Sequence, residues 1–226
     1  MSTPLIAVRT QVESACQNAG RDTQEVCLIA VSKTWPTDAI QTIIDQGQTV
    51  FGENKLQELE QKVPALDSSL EWHYIGGLQR NKVRKTLSYS KWIHSVDNLK
   101  LLQAISRIAL EDGHTPNIFL QVNIDEEDSK GGFLRQEITE AIQLAHNLSG
   151  VNLVGLMCIP RPQPTPEEVR PSFKALRALR DTLSNELQIP LPYLSMGMSS
   201  DYPIAIEEGA THIRVGSAIF GARSYQ

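Results

Sequence analysis

The sequence predicts an α/β chain, and within that class a (β/α)8 TIM barrel preceded by one extra helix. Three observations predict it. Eight strand-like apolar runs recur along the 226 residues. Helical patterns lie between them, and such βα alternation implies a parallel sheet. The first run ends in Ser32-Lys33-Thr34, without the glycine-rich turn of dinucleotide-binding sheets, which weighs against a doubly wound alternative. Barrels of this class are typically about 250 residues long, with a lower end near ~200, so the length fits.

The elements follow in order. Ser2 or Thr3 before Pro4 marks a helix start, and Gly20 marks its end. The predicted strands are Val26–Ser32, Thr49–Gly52, Trp72–Ile75, Lys91–Ser95, Asn117–Ile124, Asn152–Met157, Tyr193–Met196 and His212–Val215. Helices are predicted over Asp38–Asp45, Leu99–Leu110, Gln136–Leu148 and Glu167–Leu187, among others. In the last of these, Val169, Phe173, Leu176, Leu179 and Leu183 recur at helical spacing and read as core packing. Between Ile159 and Pro166, four prolines in seven residues stiffen one connection. No linker or low-complexity tail interrupts the pattern, so residues 1–226 read as one domain.

Composition removes several functions. Hydrophobic residues make up 41% and charged residues 21%, an ordinary globular balance, and the net charge of −5 argues against nucleic-acid or membrane surfaces. The three cysteines, Cys16, Cys27 and Cys158, are odd in number and far apart, which predicts reduced thiols and a cytoplasmic protein. The five histidines form no metal-ligand pattern, so no metal site is expected. The N-terminus lacks the basic start and long apolar core of a signal peptide, and no apolar stretch would span a bilayer.

Lys33 ends the first strand, where α/β barrels put their ligands. An amine held there, partly desolvated, is the group that forms a Schiff base with an aldehyde. Snorkelling to solvent is the plain alternative. The seventh strand runs into Gly197-Met-Ser199-Ser200-Asp201, and the eighth into Gly216-Ser217. Loops after these two strands commonly hold a phosphate. The glycines allow close backbone approach. The serines offer hydroxyls. The helix near Asp201 and the turn after Gly216 offer N–H groups. Strands one and eight are neighbours in a closed barrel, so a ligand carrying both an aldehyde and a phosphate would bridge the two features. Pyridoxal phosphate is such a ligand, and a phosphorylated sugar in an aldolase is the rival.

Arg214 shares a strand face with His212 and Gly216, so its guanidinium is a candidate partner for a pyridine nitrogen. It cannot give up its proton, and would leave the ring a poor electron sink. A structural salt bridge is the alternative role. Asn54 has two readings, a helix cap or an amide presented to the ring. His73 reads as a satisfied core histidine. Arg80, Lys82, Arg84 and Lys85 read as a solvated basic face, with an anion or partner site as the alternative.

These residues sit in segments that resemble the pyridoxal-phosphate homeostasis proteins, small relatives of the alanine-racemase barrel. The segments are Ala30-Val-Ser-Lys-Thr34, Phe51-Gly-Glu-Asn54 with Gln57-Glu58, Trp72-His73 with Ile75-Gly76, and Leu78-Gln79 with Asn81-Lys82. Further on are Gln121-Val-Asn-Ile124 with Ser129-Lys130 and Gly132, Gly155-Leu-Met157 with Ile159-Pro160, Leu194-Ser-Met-Gly-Met-Ser199 with Asp201, and Arg214-Val-Gly216 with Ile219-Phe-Gly221. The resemblance runs from about Leu28 to Arg223. Lys55, Gly77 and Gly131 depart from it, standing where an aromatic residue, proline and serine are common.

The resemblance implies a fold-type III barrel that carries pyridoxal 5'-phosphate as a Schiff base on Lys33. It implies phosphate contacts from Ser199, Ser200, Gly216 and Ser217, with Arg214 near the ring nitrogen. It also implies a monomer that holds and hands over the cofactor in vitamin B6 and amino-acid homeostasis, without turnover. Apo-enzymes that need the cofactor are then candidate recipients. Related racemases complete their sites with a C-terminal β domain, a partner subunit and a second acid/base. The end of the sequence at Gln226 leaves no room for such a domain, and no second acid/base is evident. A racemase-like enzyme and a regulatory module docking through the basic face are the alternatives.

Overall fold

The computed structural model describes residues 3–127 and 130–222; Ser2, Ser129, Arg223 and Gln226, named above, lie outside them. Helix α1 (Pro4–Asn18) comes first. The Thr3 hydroxyl caps it by accepting from the Ile6 N–H at 3.4 Å, and Pro4 takes the position where a missing N–H costs nothing. Leu5, Val8, Val12 and Ala15 form its buried stripe, and Gly20 leaves the helix at φ 65.

Eight parallel strands then close a barrel in sequence order. They are β1 (Cys27–Val31), β2 (Val50–Glu53), β3 (Glu71–Tyr74), β4 (Trp92–Val96), β5 (Asn117–Gln121), β6 (Asn152–Met157), β7 (Tyr193–Met198) and β8 (His212–Val215). The connecting helices are α2 (Thr37–Ile44), α3 (Leu56–Lys62), α4 (Val83–Leu87), α5 (Leu99–Asp112), α6 (Ile138–Asn147), α7 (Arg170–Leu187) and α8 (Tyr202–Glu207), and the short α9 (Ser217–Phe220) follows β8. Every predicted strand is present. β5 stops at Gln121 rather than Ile124, because Asn123 folds the chain over: its side chain accepts the Glu127 N–H and donates to the Glu127 carbonyl. α7 starts at Arg170 rather than Glu167, behind a single 3-10 turn over Pro166–Val169.

The helices cover the outer barrel face, where Ala30, Phe51, Trp72, Ile93, Leu120, Leu156, Leu194 and Ile213 join one large core. In α7, Phe173, Leu176 and Leu183 are buried and Leu179 is packed at the edge, as the helical spacing predicts. The inside of the barrel is different. Its apolar cluster is small, Phe119, Val154 and Met157 against Trp92. Bulky branched residues usually fill such interiors. Here His73, His94, Ser195, His212 and Arg214 are buried as well. β8 pairs with β1, with Ile29 opposite Arg214, so the residues just past both strands meet on one rim.

Candidate functional site

A cavity of about 640 Å³ opens at that rim, at the carboxyl ends of the strands. Lys33, Asn54, Ser199, Ser200, Arg214, Gly216 and Ser217 all line it. The structure therefore brings together the seven residues that the sequence marks as candidates for the cofactor, and leaves the basic cluster Arg80–Lys85 outside the cavity. Ile75, Gly76, Asp97, Gln121 and Ile159 complete much of the remaining wall.

Lys33 sits in a tight turn two residues past β1, closed by the Trp35 N–H donating to the Ser32 carbonyl at 3.0 Å. Thr34 adopts φ 70, rare for a β-branched residue. What holds it there is Glu58, whose carboxylate accepts the Thr34 N–H at 2.6 Å. Lys62 on α3 reaches the same place. Its ammonium donates to the Ser32 carbonyl at 2.8 Å, to Glu53 at 2.6 Å and to Glu58 at 2.7 Å. The Ser32 hydroxyl donates to Glu53 at 2.6 Å. Glu53 is fully buried, and Lys62 is 5% exposed. Burial pushes the Glu53 carboxyl up, against the bonds from Lys62 and Ser32. Burial acts on Glu58 in the same sense, but the bonds from Lys62 and the Thr34 N–H outweigh it and hold that carboxyl below its usual range. Sequence reasoning missed this cluster. The Glu58–Lys62 spacing of four was readable as a helical ion pair, but nothing in it signals a buried lysine.

Across the cavity, the Ser199 hydroxyl reaches the turn after β8 and accepts from the Gly216 N–H at 3.0 Å and the Ala218 N–H at 3.4 Å. Gly197 has φ 92, and a methyl group there would lie 2.6 Å from the Ala205 side chain, so glycine is what lets α8 pack against the strand end. The Ser200 hydroxyl donates to Asp201 at 2.9 Å, and the Met198 N–H donates to the other oxygen of that carboxylate at 2.7 Å. The proton of Ser200 is thus given to Asp201, which the sequence does not reveal.

Asn54 does not cap a helix. α3 begins two residues later, with Lys55 in the cap position and no side-chain cap bond. The Asn54 Oδ1 is buried and makes no hydrogen bond. A buried acceptor of this kind, in a cavity wall, suits a ligand that brings a donor. Arg214 is 4% exposed and donates to the Ser195 hydroxyl at 2.6 Å and to the Cys158 carbonyl at 3.0 Å. Both partners are neutral, so the salt-bridge role is not what places it. Burial lowers its guanidinium pKa, yet arginine keeps its proton in proteins.

His73 is the satisfied core histidine that its context predicts, fully buried and bonded through both nitrogens. In the basic cluster, Arg84 pairs with Glu111 and Asp112, and Lys85 pairs with Glu60, at exposed positions. Burial pushes the thiols of Cys27 and Cys158 up to about 12, which favours the protonated form at neutral pH. Among the described residues, no helix is long and apolar enough to cross a membrane, and no three His, Cys, Asp or Glu side chains group as a metal needs.

Fold and site together define a ligand-binding (β/α)8 barrel, with an amine and two serine-bearing turns around one cavity. The family model for the alanine racemase N-terminal domain matches residues 5–224. The chain is 41% identical to the pyridoxal phosphate homeostasis protein of Aquifex aeolicus, over 98% of this chain and 97% of that one. It is 38% identical to that of Escherichia coli, over 98% and 96%. Among solved structures, PipY of Synechococcus elongatus superposes without PLP at TM-score 0.84 and 38% identity, and with PLP bound at 0.82 and 37%. Each covers 93% of this chain, and 99% and 100% of PipY. Alanine racemase of Corynebacterium glutamicum shares the fold, at TM-score 0.70 and 17% identity, over 96% of this chain and 61% of the racemase. The chain belongs to the alanine racemase N-terminal domain family, among the pyridoxal phosphate homeostasis proteins.

Proposed function

We propose that the protein binds pyridoxal 5'-phosphate in the rim cavity, through a Schiff base to Lys33, and serves cofactor homeostasis in the cytoplasm without catalytic turnover. The observation that carries this reading is the convergence of all seven candidate residues on one cavity. The unpartnered Asn54 Oδ1 in its wall supports a ligand there. So does the PLP complex of PipY.

When bound, the cofactor supplies an aldehyde, which condenses with an amine and releases one water, and a ring able to draw electrons. The chain's own groups do the rest. Lys33 provides the amine. Ser199, Ser200, Gly216 and Ser217 would hold the phosphate through hydroxyl and N–H groups, the Gly216 N–H and the Ser200 hydroxyl turning to it from Ser199 and Asp201. Asn54 offers its amide to the ring. Arg214, on the cavity wall, would be the partner of the ring nitrogen and, being unable to release its proton, would leave that nitrogen without one. A ring in that state stabilises a carbanion poorly, which fits a carrier better than a racemase. In this reading the protein works as a monomer and one domain, and apo-enzymes that require the cofactor receive it.

Borohydride reduction of the protein loaded with pyridoxal phosphate tests the assignment. We expect loss of the visible absorbance band and a reduced adduct on the peptide containing Lys33. An adduct on Lys82 or Lys130 would refute the site. Rapid turnover of a free amino acid by the purified protein, abolished in Lys33→Ala, would refute the non-enzyme half and leave the site standing.

A further inference from the structure

The buried polar groups inside the barrel are not scattered. They form a chain of hydrogen bonds that starts at Arg214, beside the cavity, and ends at Glu71, the first residue of β3 at the opposite mouth. Arg214 Nη1 lies 2.6 Å from Ser195 Oγ. Ser195 Oγ lies 2.7 Å from His94 Nδ1. His94 Nε2 lies 2.8 Å from His73 Nδ1, and His73 Nε2 lies 2.9 Å from Glu71 Oε1. The three middle members are buried, and Glu71 is half exposed.

The two ends fix every proton in between. A guanidinium only donates, and a carboxylate only accepts. His73 must therefore donate from Nε2 to Glu71, which leaves its Nδ1 as an acceptor. His94 then donates from Nε2, and its own Nδ1 accepts the Ser195 proton. Ser195 in turn accepts from Arg214. Each member is satisfied with both imidazoles neutral, and all donors point from the cationic end to the anionic end. Reversing the Ser195–His94 or the His94–His73 link would put a second proton on an imidazole near Arg214 or set two bare nitrogens against each other. Burial and the neighbouring positive groups hold the His94 pKa well below its usual value, and burial lowers that of His73. The His73 bond holds the Glu71 carboxyl below its usual range.

We propose that Ser195, His94, His73 and Glu71 are positioning residues that act as a one-way relay, fixing the Arg214 guanidinium beside the cavity and answering its buried charge with a carboxylate at the far mouth of the barrel. Asp201 also favours that charge, from a distance. A buried cation with only neutral contacts is costly unless its field is compensated. Aligned dipoles that polarise one another supply such compensation over several links. The proposal concerns the state of Arg214 itself and stands whether or not the cavity takes pyridoxal phosphate.

The test is nitrogen-15 NMR of the imidazole and guanidinium groups in the full chain without added ligand. With five histidines, the spectrum is assignable. The wild type should show His73 and His94 as neutral Nε2–H tautomers from about pH 8 down to about 5. Glu71→Gln keeps an acceptor and removes the charge; it should shift the ring nitrogens of His73 and, one link further, of His94, with His114 and His146 unmoved. Ser195→Ala should mix the His94 tautomers and broaden the Arg214 guanidinium signals, and Ser195→Thr should restore both. A wild-type His94 protonated at Nδ1, a Glu71→Gln effect that stops at His73, or an Arg214 unaffected by Ser195→Ala would overturn the relay. If Ser195→Ala does not fold, Glu71→Gln at its half-exposed site still decides.

Discussion

Lys62 Nζ lies 2.6 Å from Glu53 Oε1, with both side chains buried behind the turn that carries Lys33. The same ammonium donates to the Ser32 carbonyl, so one buried cation ties α3 to the end of β1. Lys62→Met would leave Glu53 and Glu58 without their shared counter-charge. Breaking a buried pair from one side costs about 3–5 kcal/mol. Urea denaturation should show a loss of that size. A change under about 1 kcal/mol would mean that Glu53 is already protonated and the pair contributes little.

Lys33→Ala should keep the fold. Lys33 is half-buried in a rim turn past the strand, outside the packed core, so the loss should stay near the roughly 1 kcal/mol of a typical substitution. The visible absorbance band with pyridoxal phosphate should vanish, while weaker, non-covalent binding persists. A band that survives in the variant would place the amine elsewhere.

The double variant Ser199→Ala, Ser217→Ala should weaken retention of pyridoxal phosphate. Each bond to a charged acceptor is worth about 1.5–3 kcal/mol, so dissociation constants should rise by roughly a hundredfold or more. Ser199 also braces the turn after β8. Thermal unfolding run alongside separates lost anchoring from a loosened turn: an unchanged melting temperature with lost affinity is the expected pair. Equal affinity in both proteins would move the phosphate to another part of the cavity.

Stability should fall with acid below about pH 6.5. Burial depresses the pKa of His73 and His94 in the folded protein, and burial with nearby His73 takes that of His212 from 6.5 to about 3. The unfolded chain therefore binds more protons than the native one in that window, and stability drops as pH falls. Each depressed histidine costs about 1.4 kcal/mol per pH unit between its two pKa values. Glu53, shifted upward, works in the opposite sense above its usual value of 4.5 and offsets part of this. Denaturant midpoints measured from neutral pH to about pH 5 should decline, and a flat profile would show that the three imidazoles are not buried neutral.

The sequence by itself determined the eight strands, their parallel alternation with helices and the lysine at the end of β1. These rest on local apolar patterning and on chain order, which one sequence displays directly. It also marked the serine- and glycine-bearing turns after β7 and β8, because such turns have a local signature. Ring closure was what converted separate marks into a site. Only the pairing of β8 with β1 brings Lys33 and Ser217 to one rim, and that contact joins residues far apart in sequence. The tertiary structure alone decided the fate of the polar groups. Asn54 offers two plausible roles in sequence, and the position of α3 removes one. Lys62 looks like any surface helix lysine until Glu53 and Ser32 close over it. His94 sits in an ordinary strand pattern, and its bonds run to β3 and β7. Hydrophobic periodicity reports which face of an element is buried, but not which buried partner satisfies a polar atom; that depends on atoms placed within hydrogen-bond reach by the closed barrel.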